Sequence, residues 1–233
     1  MKVTLERVEL PTPGEAVSAV TAVVHRPTRV SRPAFLLTHG AGGDLDTPGL
    51  VALAEAIAAT GHLVVRANLP FREAGRRAAP RADRSVGAFE AVAAAARDLA
   101  PRTPWIVGGK SYGGRVASMA VAAGVVDAVG LLFYGYPLHP PGKPDKLRVD
   151  HWIDVRVPCL FLQGDHDTFS DPDLLEASLR KLPRRARVHV VPGGDHSLKV
   201  TRAAAPDGVA RSAQAVVGDL GEVVDDWATD VLG

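Results

Sequence analysis

Short, continuously apolar runs alternate along the chain with segments in which apolar residues recur every three or four positions. The runs predict strands that are buried on both faces, and the segments predict helices that bury one face. The predicted strands span residues 34–38, 62–67, 104–107, 125–134, 158–163 and 187–191, and the predicted helices span residues 50–59, 85–99, 112–123, 172–182 and 209–231. Strands that alternate with helices favour a parallel sheet, because parallel neighbours need crossover connections.

Two parts of the chain depart from this alternation. Two β-branched stretches, 3–10 and 16–25, flank a Pro-Thr-Pro-Gly turn and predict an N-terminal antiparallel hairpin. The proline-rich segment 135–156 is either a loop over the site or a surface connection, and it is too short for a large helical lid. We therefore expect one α/β domain over residues 1–233: a mostly parallel central sheet with helices on both faces and a minimal lid.

Composition narrows the class of protein. Of the 233 residues, 27 are Lys or Arg and 26 are Asp or Glu, so the net charge of +1 argues against nucleic-acid binding. The single cysteine, Cys159, lies in an apolar run, which predicts a buried thiol and suits a reducing compartment. No signal sequence opens the chain, and no apolar run reaches about 18 residues. We expect a cytoplasmic protein without a membrane or nucleic-acid partner; the oligomeric state stays open.

One local motif carries most of the chemical information. The sequence Gly109-Lys110-Ser111-Tyr112-Gly113 follows an apolar strand and precedes a helix, which is the setting of a nucleophile elbow. Glycines are needed two positions away on each side because the backbone turns sharply at the serine. A phosphate-binding P-loop would need glycine five residues before Gly109, and Pro104 stands there. The motif therefore predicts Ser111 as a nucleophile.

A serine hydroxyl is a weak nucleophile near neutral pH and needs a base that a carboxylate orients. In this setting the acid and then the histidine follow the serine in the chain. His196 stands just after the last predicted strand, whereas His189 lies inside it, so His196 is the expected base. The acid is expected in the loop after the preceding strand, where Asp165 and Asp167 are both candidates.

Two backbone amides are expected to hold the oxyanion that forms when the serine attacks. The Tyr112 N–H lies at a helix N-terminus, where backbone donors and the helix dipole favour a negative oxygen. The second donor is expected in the small-residue loop 39–43, and we choose the Ala41 N–H there. His39 in the same loop is expected to make structural hydrogen bonds.

These residues resemble the α/β-hydrolase superfamily over nearly the whole chain. The blocks that carry the resemblance are Thr38-His39-Gly40-Ala41-Gly42, Gly109-Lys110-Ser111-Tyr112-Gly113, Leu162-Gln163-Gly164-Asp165-His166-Asp167 and Gly194-Asp195-His196. Within the superfamily, the Gly-Lys-Ser elbow and the segment 135–144 are similar to small dienelactone-hydrolase-like proteins that carry serine at the elbow. The superfamily acid commonly ends a Gly-x-x-Asp pattern, so the resemblance implies Asp167 instead of Asp165.

The resemblance implies catalysis by Ser111, His196 and Asp167, with Ala41 and Tyr112 as amide donors. We expect a carboxylesterase-like serine hydrolase that forms an acyl-enzyme with a small-molecule ester or acyl substrate and needs no cofactor or metal. Dienelactone hydrolases proper use a cysteine nucleophile, so the serine argues against that substrate. A thioesterase or peptidase with the same residues, and a non-catalytic binding or scaffold module, are the alternatives.

Overall fold

A computed structural model describes residues 2–29 and 32–232. Its strands are β1 (Val3–Pro11), β2 (Ala19–Pro27), β3 (Ala34–Thr38), β4 (Val64–Ala67), β5 (Trp105–Lys110), β6 (Gly130–Tyr134), β7 (Cys159–Gly164) and β8 (Ala186–Val191). Its α-helices are α1 (Pro48–Ala59), α2 (Pro70–Glu73), α3 (Val86–Arg97), α4 (Tyr112–Ala122), α5 (Pro172–Leu179), α6 (Ala213–Gly218) and α7 (Gly221–Leu232). Each predicted strand is present, although the ends differ.

The strands form one sheet in the order β1-β2-β4-β3-β5-β6-β7-β8. The N-terminal hairpin is antiparallel and β2 also pairs antiparallel with β4, whereas β3 to β8 pair in parallel. The predicted mostly parallel sheet with its hairpin is therefore confirmed. Because parallel strands end at one edge of a sheet, the loops that follow β3, β5, β7 and β8 leave from the same edge.

Helices cover both faces of the sheet, as predicted. Successive residues of a strand point to opposite faces, and the central strands are apolar on both. One buried cluster packs strand residues against α3 and α4 and includes Leu36, Val107, Phe133, Phe89 and Val116. The other packs strand residues against α1 and α7 and includes Phe35, Ile106, Leu132, Ile57 and Trp227.

The prediction of one continuous helix over residues 209–231 is wrong. Two helices, α6 and α7, take its place, and Val209 is 54% exposed. The second helix begins at Gly221, where an added Cβ would lie 2.7 Å from the carbonyl oxygen of Ala56 in α1. This close approach places the start of α7 against α1. Val217 of α6 and Trp227 of α7 are both buried in the same cluster, but they belong to separate helices.

The predicted strand over residues 125–134 begins five residues late, at Gly130. The preceding residues instead terminate α4. The N–H of Val125 donates to Ala120 at 3.2 Å, and the N–H of Gly124 donates to Val121 at 3.0 Å. With Gly124 at a φ of 71°, this is a Schellman cap, and it withdraws these backbone groups from strand pairing.

The helices among residues 2–29 and 32–232 are short. The longest of them, α1, α3 and α7, each have 12 residues. No helix in this part of the chain is long and apolar enough to cross a bilayer. The sequence pattern missed α2 and the 3₁₀ turns Ala82–Ser85 and Asp150–Asp154, because a single turn shows no periodicity.

Hydrogen bonds between its own residues hold the segment 135–156 in place. Trp152 is fully buried, and its indole N–H donates to the Tyr136 hydroxyl at 3.2 Å. The Tyr136 hydroxyl in turn donates to the carbonyl oxygen of Arg148 at 2.7 Å. These hydrogen bonds hold the segment to itself, and His151 Nε2 lies 2.7 Å from Ser118 Oγ of α4. No helical lid is present within the described residues.

The first turn of α4 lies against the end of β3. A Cβ at Gly113 would lie 2.5 Å from Thr38 Oγ1, 2.6 Å from the Thr38 carbonyl oxygen and 2.7 Å from the His39 carbonyl oxygen. Backbone oxygens of a central strand cannot move aside independently. Only glycine therefore allows α4 to start at this distance from the sheet.

We expect Gly113→Ala to lower the free energy of unfolding by about 2 kcal/mol or more, as overpacking does. Gly87 is the matched control, because it is also the second residue of a helix and its added Cβ would meet only Glu15 Oε1 at 3.8 Å. Gly87→Ala is expected to be neutral or to stabilise by up to about 1 kcal/mol. Urea denaturation measures both, and equal effects would contradict the packing explanation.

Candidate active site

The backbone at Ser111 is strained. Its φ of 49° and ψ of −108° lie outside the regions open to most L-residues. The neighbouring Gly109 has a φ of 145°, and an added Cβ there would lie 2.0 Å from the Thr38 carbonyl oxygen. The Ser111 N–H donates to the Tyr134 carbonyl oxygen of β6 at 2.9 Å, which fixes the turn against the sheet. The predicted elbow geometry is present, with the serine between β5 and α4.

Three predicted site residues meet at the sheet edge. His196 Nε2 lies 2.8 Å from Ser111 Oγ, and His196 Nδ1 lies 2.8 Å from Asp167 Oδ2. The three residues belong to the loops or turns that follow β5, β7 and β8. Each distance is that of a hydrogen bond. The hydroxyl, the imidazole and the carboxylate therefore form one connected hydrogen-bonded path.

The two candidate aspartates occupy different environments. Asp167 is buried, and it also accepts hydrogen bonds from Gln163 Nε2 at 2.6 Å and from the Phe169 N–H at 2.8 Å. Asp165 points elsewhere and accepts from the Gly193 N–H at 2.6 Å, which ties the loop after β7 to the loop after β8. Of the two, only Asp167 contacts His196.

The surroundings of His196 disfavour the charged form of its imidazole. Burial lowers the pKa of His196, the hydrogen bond that its Nδ1–H donates to Asp167 opposes that shift, and the nearby charge of Lys110 lowers the pKa further. The ring of Phe169 stacks on the imidazole with 4.2 Å between the ring centroids and shields it from water. A neutral imidazole can accept the proton of a hydroxyl, whereas a charged one cannot.

Lys110 is a buried cation next to this site, and the sequence analysis gave it no role. Its ammonium group donates to the carbonyl oxygen of His196 and lies 4.7 Å from the centre of the Tyr134 ring. Burial lowers the pKa of Lys110 to about 8, with Asp167 and Asp195 opposing the shift. The signal for it was a charged residue at the end of an otherwise apolar strand.

The two amides expected to hold an oxyanion lie beside Ser111. Ala41 and Tyr112 line the same cavity as the serine, and neither N–H donates a hydrogen bond within the described residues. The Tyr112 hydroxyl donates to Ser85 Oγ at 2.7 Å, which fixes the start of α4. His39 hydrogen-bonds through both nitrogens, to the Gly40 carbonyl and the Leu69 N–H, as expected of a structural residue.

The sequence of residues 31–219 matches the family model of the α/β hydrolase domain. The chain belongs to the α/β hydrolase family. Membership agrees with the sheet order, the strained serine after β5 and the histidine after β8 described above.

Solved α/β hydrolases share the fold over almost the full length of this chain. A serine hydrolase without a lid from Xanthomonas campestris is 22% identical, with a TM-score of 0.71 over 97% of this chain and 96% of that one. A dienelactone hydrolase from Anabaena variabilis is 16% identical, with a TM-score of 0.69 over 95% and 97%. Est1E from Butyrivibrio proteoclasticus is 16% identical, with a TM-score of 0.68 over 94% and 98%. At these identities the likeness establishes the fold.

In this α/β hydrolase a cavity of about 580 Å³ opens beside Ser111. Ala41 from the loop after β3, Pro137 from the segment 135–156 and Phe169 from the loop after β7 contribute to its wall. His139 does not line it; this histidine is buried and accepts a hydrogen bond from the Asp171 N–H at 3.3 Å. The cavity gives a small molecule access to the serine hydroxyl.

We expect Lys110→Met to raise the pKa of His196, because the substitution removes a positive charge that disfavours the imidazolium. NMR titration of the His196 ring follows this directly. The matched control is Lys199→Met, an exposed lysine three residues after His196, whose charge is screened by water. An unchanged or lowered pKa in Lys110→Met would contradict an electrostatic effect of Lys110 on this histidine.

Proposed function

We propose that this protein is a serine hydrolase that cleaves carboxylic esters of small molecules through an acyl-enzyme on Ser111. The observation that carries the proposal is the hydrogen-bonded path from Ser111 Oγ through His196 to Asp167, with 2.8 Å at each step, at the wall of a cavity. Such a path is what a serine needs to attack a carbonyl carbon near neutral pH.

In the first half of the proposed reaction, Ser111 Oγ attacks the ester carbon while His196 Nε2 takes its proton. The Asp167 carboxylate accepts from Nδ1–H, which selects the tautomer with a free lone pair on Nε2 and stabilises the imidazolium that forms. The free amides of Ala41 and Tyr112 donate to the oxyanion; loss of one such donor typically costs about 2.7–4 kcal/mol.

The two products leave one after the other. The imidazolium of His196 gives its proton to the leaving alcohol, which departs and leaves the acyl group on Ser111. A water molecule then takes the alcohol's place, His196 accepts a proton from it, and the hydroxide attacks the acyl carbon. The tetrahedral intermediate that results collapses, which breaks the bond between Ser111 Oγ and the acyl carbon and releases the acid. His196 returns its proton to Ser111 Oγ.

The proposed substrate class is a small ester. A cavity of about 580 Å³ lies within the range of small-molecule sites, and no helical lid encloses it among the described residues. Est1E, one of the similar structures, has also been solved with ferulic acid bound, at a TM-score of 0.67 to this chain. A small carboxylic acid in that fold agrees with the size of cavity seen here.

Ser111→Ala is expected to abolish hydrolysis of p-nitrophenyl butyrate and labelling by a fluorophosphonate, without loss of the folded state. The reason is that the variant lacks the attacking oxygen. Ser197→Ala, one residue after His196, is the matched control and should keep both properties. Intact mass and circular dichroism report labelling and folding. Turnover retained in Ser111→Ala, or no labelling of the unaltered protein, would exclude this mechanism and leave a non-catalytic binding module.

Asp167→Asn is expected to lower kcat/KM by about 10³- to 10⁴-fold, because the amide no longer holds the productive imidazole tautomer. Asp165→Asn is the paired control: the asparagine oxygen can still accept from the Gly193 N–H, so kcat/KM should stay within about threefold of the starting value. Steady-state kinetics on p-nitrophenyl butyrate measure both. Equal losses in the two variants would argue that the carboxylates merely support the loops.

A further inference from the structure

The lining of the Ser111 cavity carries more basic than acidic residues. Arg81, Arg115 and Arg148 line it, whereas Asp83 is its one acidic lining residue among the described part of the chain. Arg81 forms an ion pair with Asp83 at 3.3 Å, with both side chains largely exposed at the rim. The rim pair offsets its own charges, so Arg115 and Arg148 are the charged lining residues that no other lining residue pairs.

Arg115 lies in the first turn of the helix that starts directly after the serine. It lies four residues after Ser111, one helical turn along α4, and Met119 one further turn along also lines the cavity. Helical side chains lean toward the N-terminus, which directs the Arg115 side chain back toward Ser111. Its Nε is buried and has no hydrogen-bond partner within residues 2–29 and 32–232.

Arg148 reaches the cavity from a different element. It belongs to the segment 135–156, where its N–H donates to Leu138 at 2.8 Å and its carbonyl accepts from Tyr136 at 2.7 Å, so its backbone is fixed. Its guanidinium has only a long contact, Nη1 to the Pro137 carbonyl at 3.4 Å. Two anchored elements thus present their guanidinium groups to one space.

The charge of Arg115 acts on Arg148, and neither guanidinium forms an ion pair with a carboxylate among the described residues. None of the ion pairs between described residues includes Arg115 or Arg148. Burial and then the Arg115 charge lower the pKa of Arg148. The nearby His151 is uncharged near neutral pH, since burial and Arg115 lower its pKa to about 4. Paired positive groups without a counterion are typical of a site that receives an anion.

We propose that Arg115 and Arg148 bind a carboxylate carried by the ester substrate, so that the enzyme prefers anionic esters over neutral ones of the same size. The inference rests on the proposed function for its substrate and deepens it. A guanidinium offers a planar fork that matches the two carboxylate oxygens, and no ion pair among the described residues occupies that of Arg115 or Arg148. A carboxylate held there fixes the ester carbonyl relative to Ser111.

The test compares matched ester pairs that differ by one charge. On the acyl side the pair is mono-p-nitrophenyl glutarate and p-nitrophenyl pentanoate. On the alcohol side it is 4-acetoxybenzoate and 4-methylphenyl acetate. We expect kcat/KM for the anionic member to exceed that of the neutral member about tenfold or more in at least one pair, and the pair that responds identifies the side that carries the carboxylate.

Arginine variants assign the preference to these residues. Arg115→Met and Arg148→Met should each bring the anionic-to-neutral ratio of kcat/KM close to one, and Arg115→Lys should retain part of it because the charge remains. The control is Arg187→Met, which removes an exposed arginine at the start of β8, at the opposite edge of the sheet, where it pairs with Asp230 at 2.7 Å. Its ratio should stay unchanged.

Binding is also measured without turnover. In Ser111→Ala, monomethyl glutarate should raise the melting temperature more than dimethyl glutarate does, and the difference should vanish in Ser111→Ala/Arg115→Met. This experiment separates the two proposals: if no ester is cleaved but the anion still binds through Arg115, the esterase proposal fails and the anion site stands. If esters are cleaved with no anionic preference in either pair, or the preference survives both Met variants, the anion site is refuted.

Discussion

The close contact between the start of α4 and the end of β3 is the constraint on which the rest of the site depends. Glycines at 109 and 113 allow the backbone oxygens of Thr38 and His39 to pack where a Cβ would otherwise be. The chain can then turn so sharply at Ser111 that the residue takes a φ of 49°. The hydrogen bond from the Ser111 N–H to Tyr134 and the packing of α4 compensate for the strain, so the hydroxyl faces the loop that carries His196.

The charges around Ser111 affect the site as well as its geometry does. Asp167 stabilises a positive imidazole, whereas burial and Lys110 disfavour it, so the pKa of His196 results from opposing effects. Lys110 also donates to the His196 backbone, which links the strand before the serine to the loop after β8. Further out, Arg115 and Arg148 add positive charge to the lining of the cavity. The reacting groups and the proposed specificity groups thus share α4 and its neighbouring loops.

Local patterning was sufficient for most of the fold and insufficient at specific places. Apolar runs predicted the parallel strands, because a strand buried on both faces must be apolar throughout. The helix predicted over 209–231 failed because periodicity cannot detect a break imposed by contact between Gly221 and α1. The strand predicted over 125–134 starts five residues late because Gly124 and Val125 terminate α4, and β-branched residues can fill a helix cap as well as a strand.

The sequence by itself determined the strand–turn–helix around Ser111 and the loop position of His196, because both follow from neighbouring residues and strand order. It left Asp165 and Asp167 open, and only resemblance to the α/β hydrolases favoured Asp167. The tertiary structure decided which carboxylate reaches the imidazole, and it alone brought Lys110 to His196 and Arg148 to the cavity that Arg115 lines. Contacts between residues far apart in the chain depend on how the loops pack at the sheet edge. A periodic pattern within one segment carries no information about the distance between two such residues.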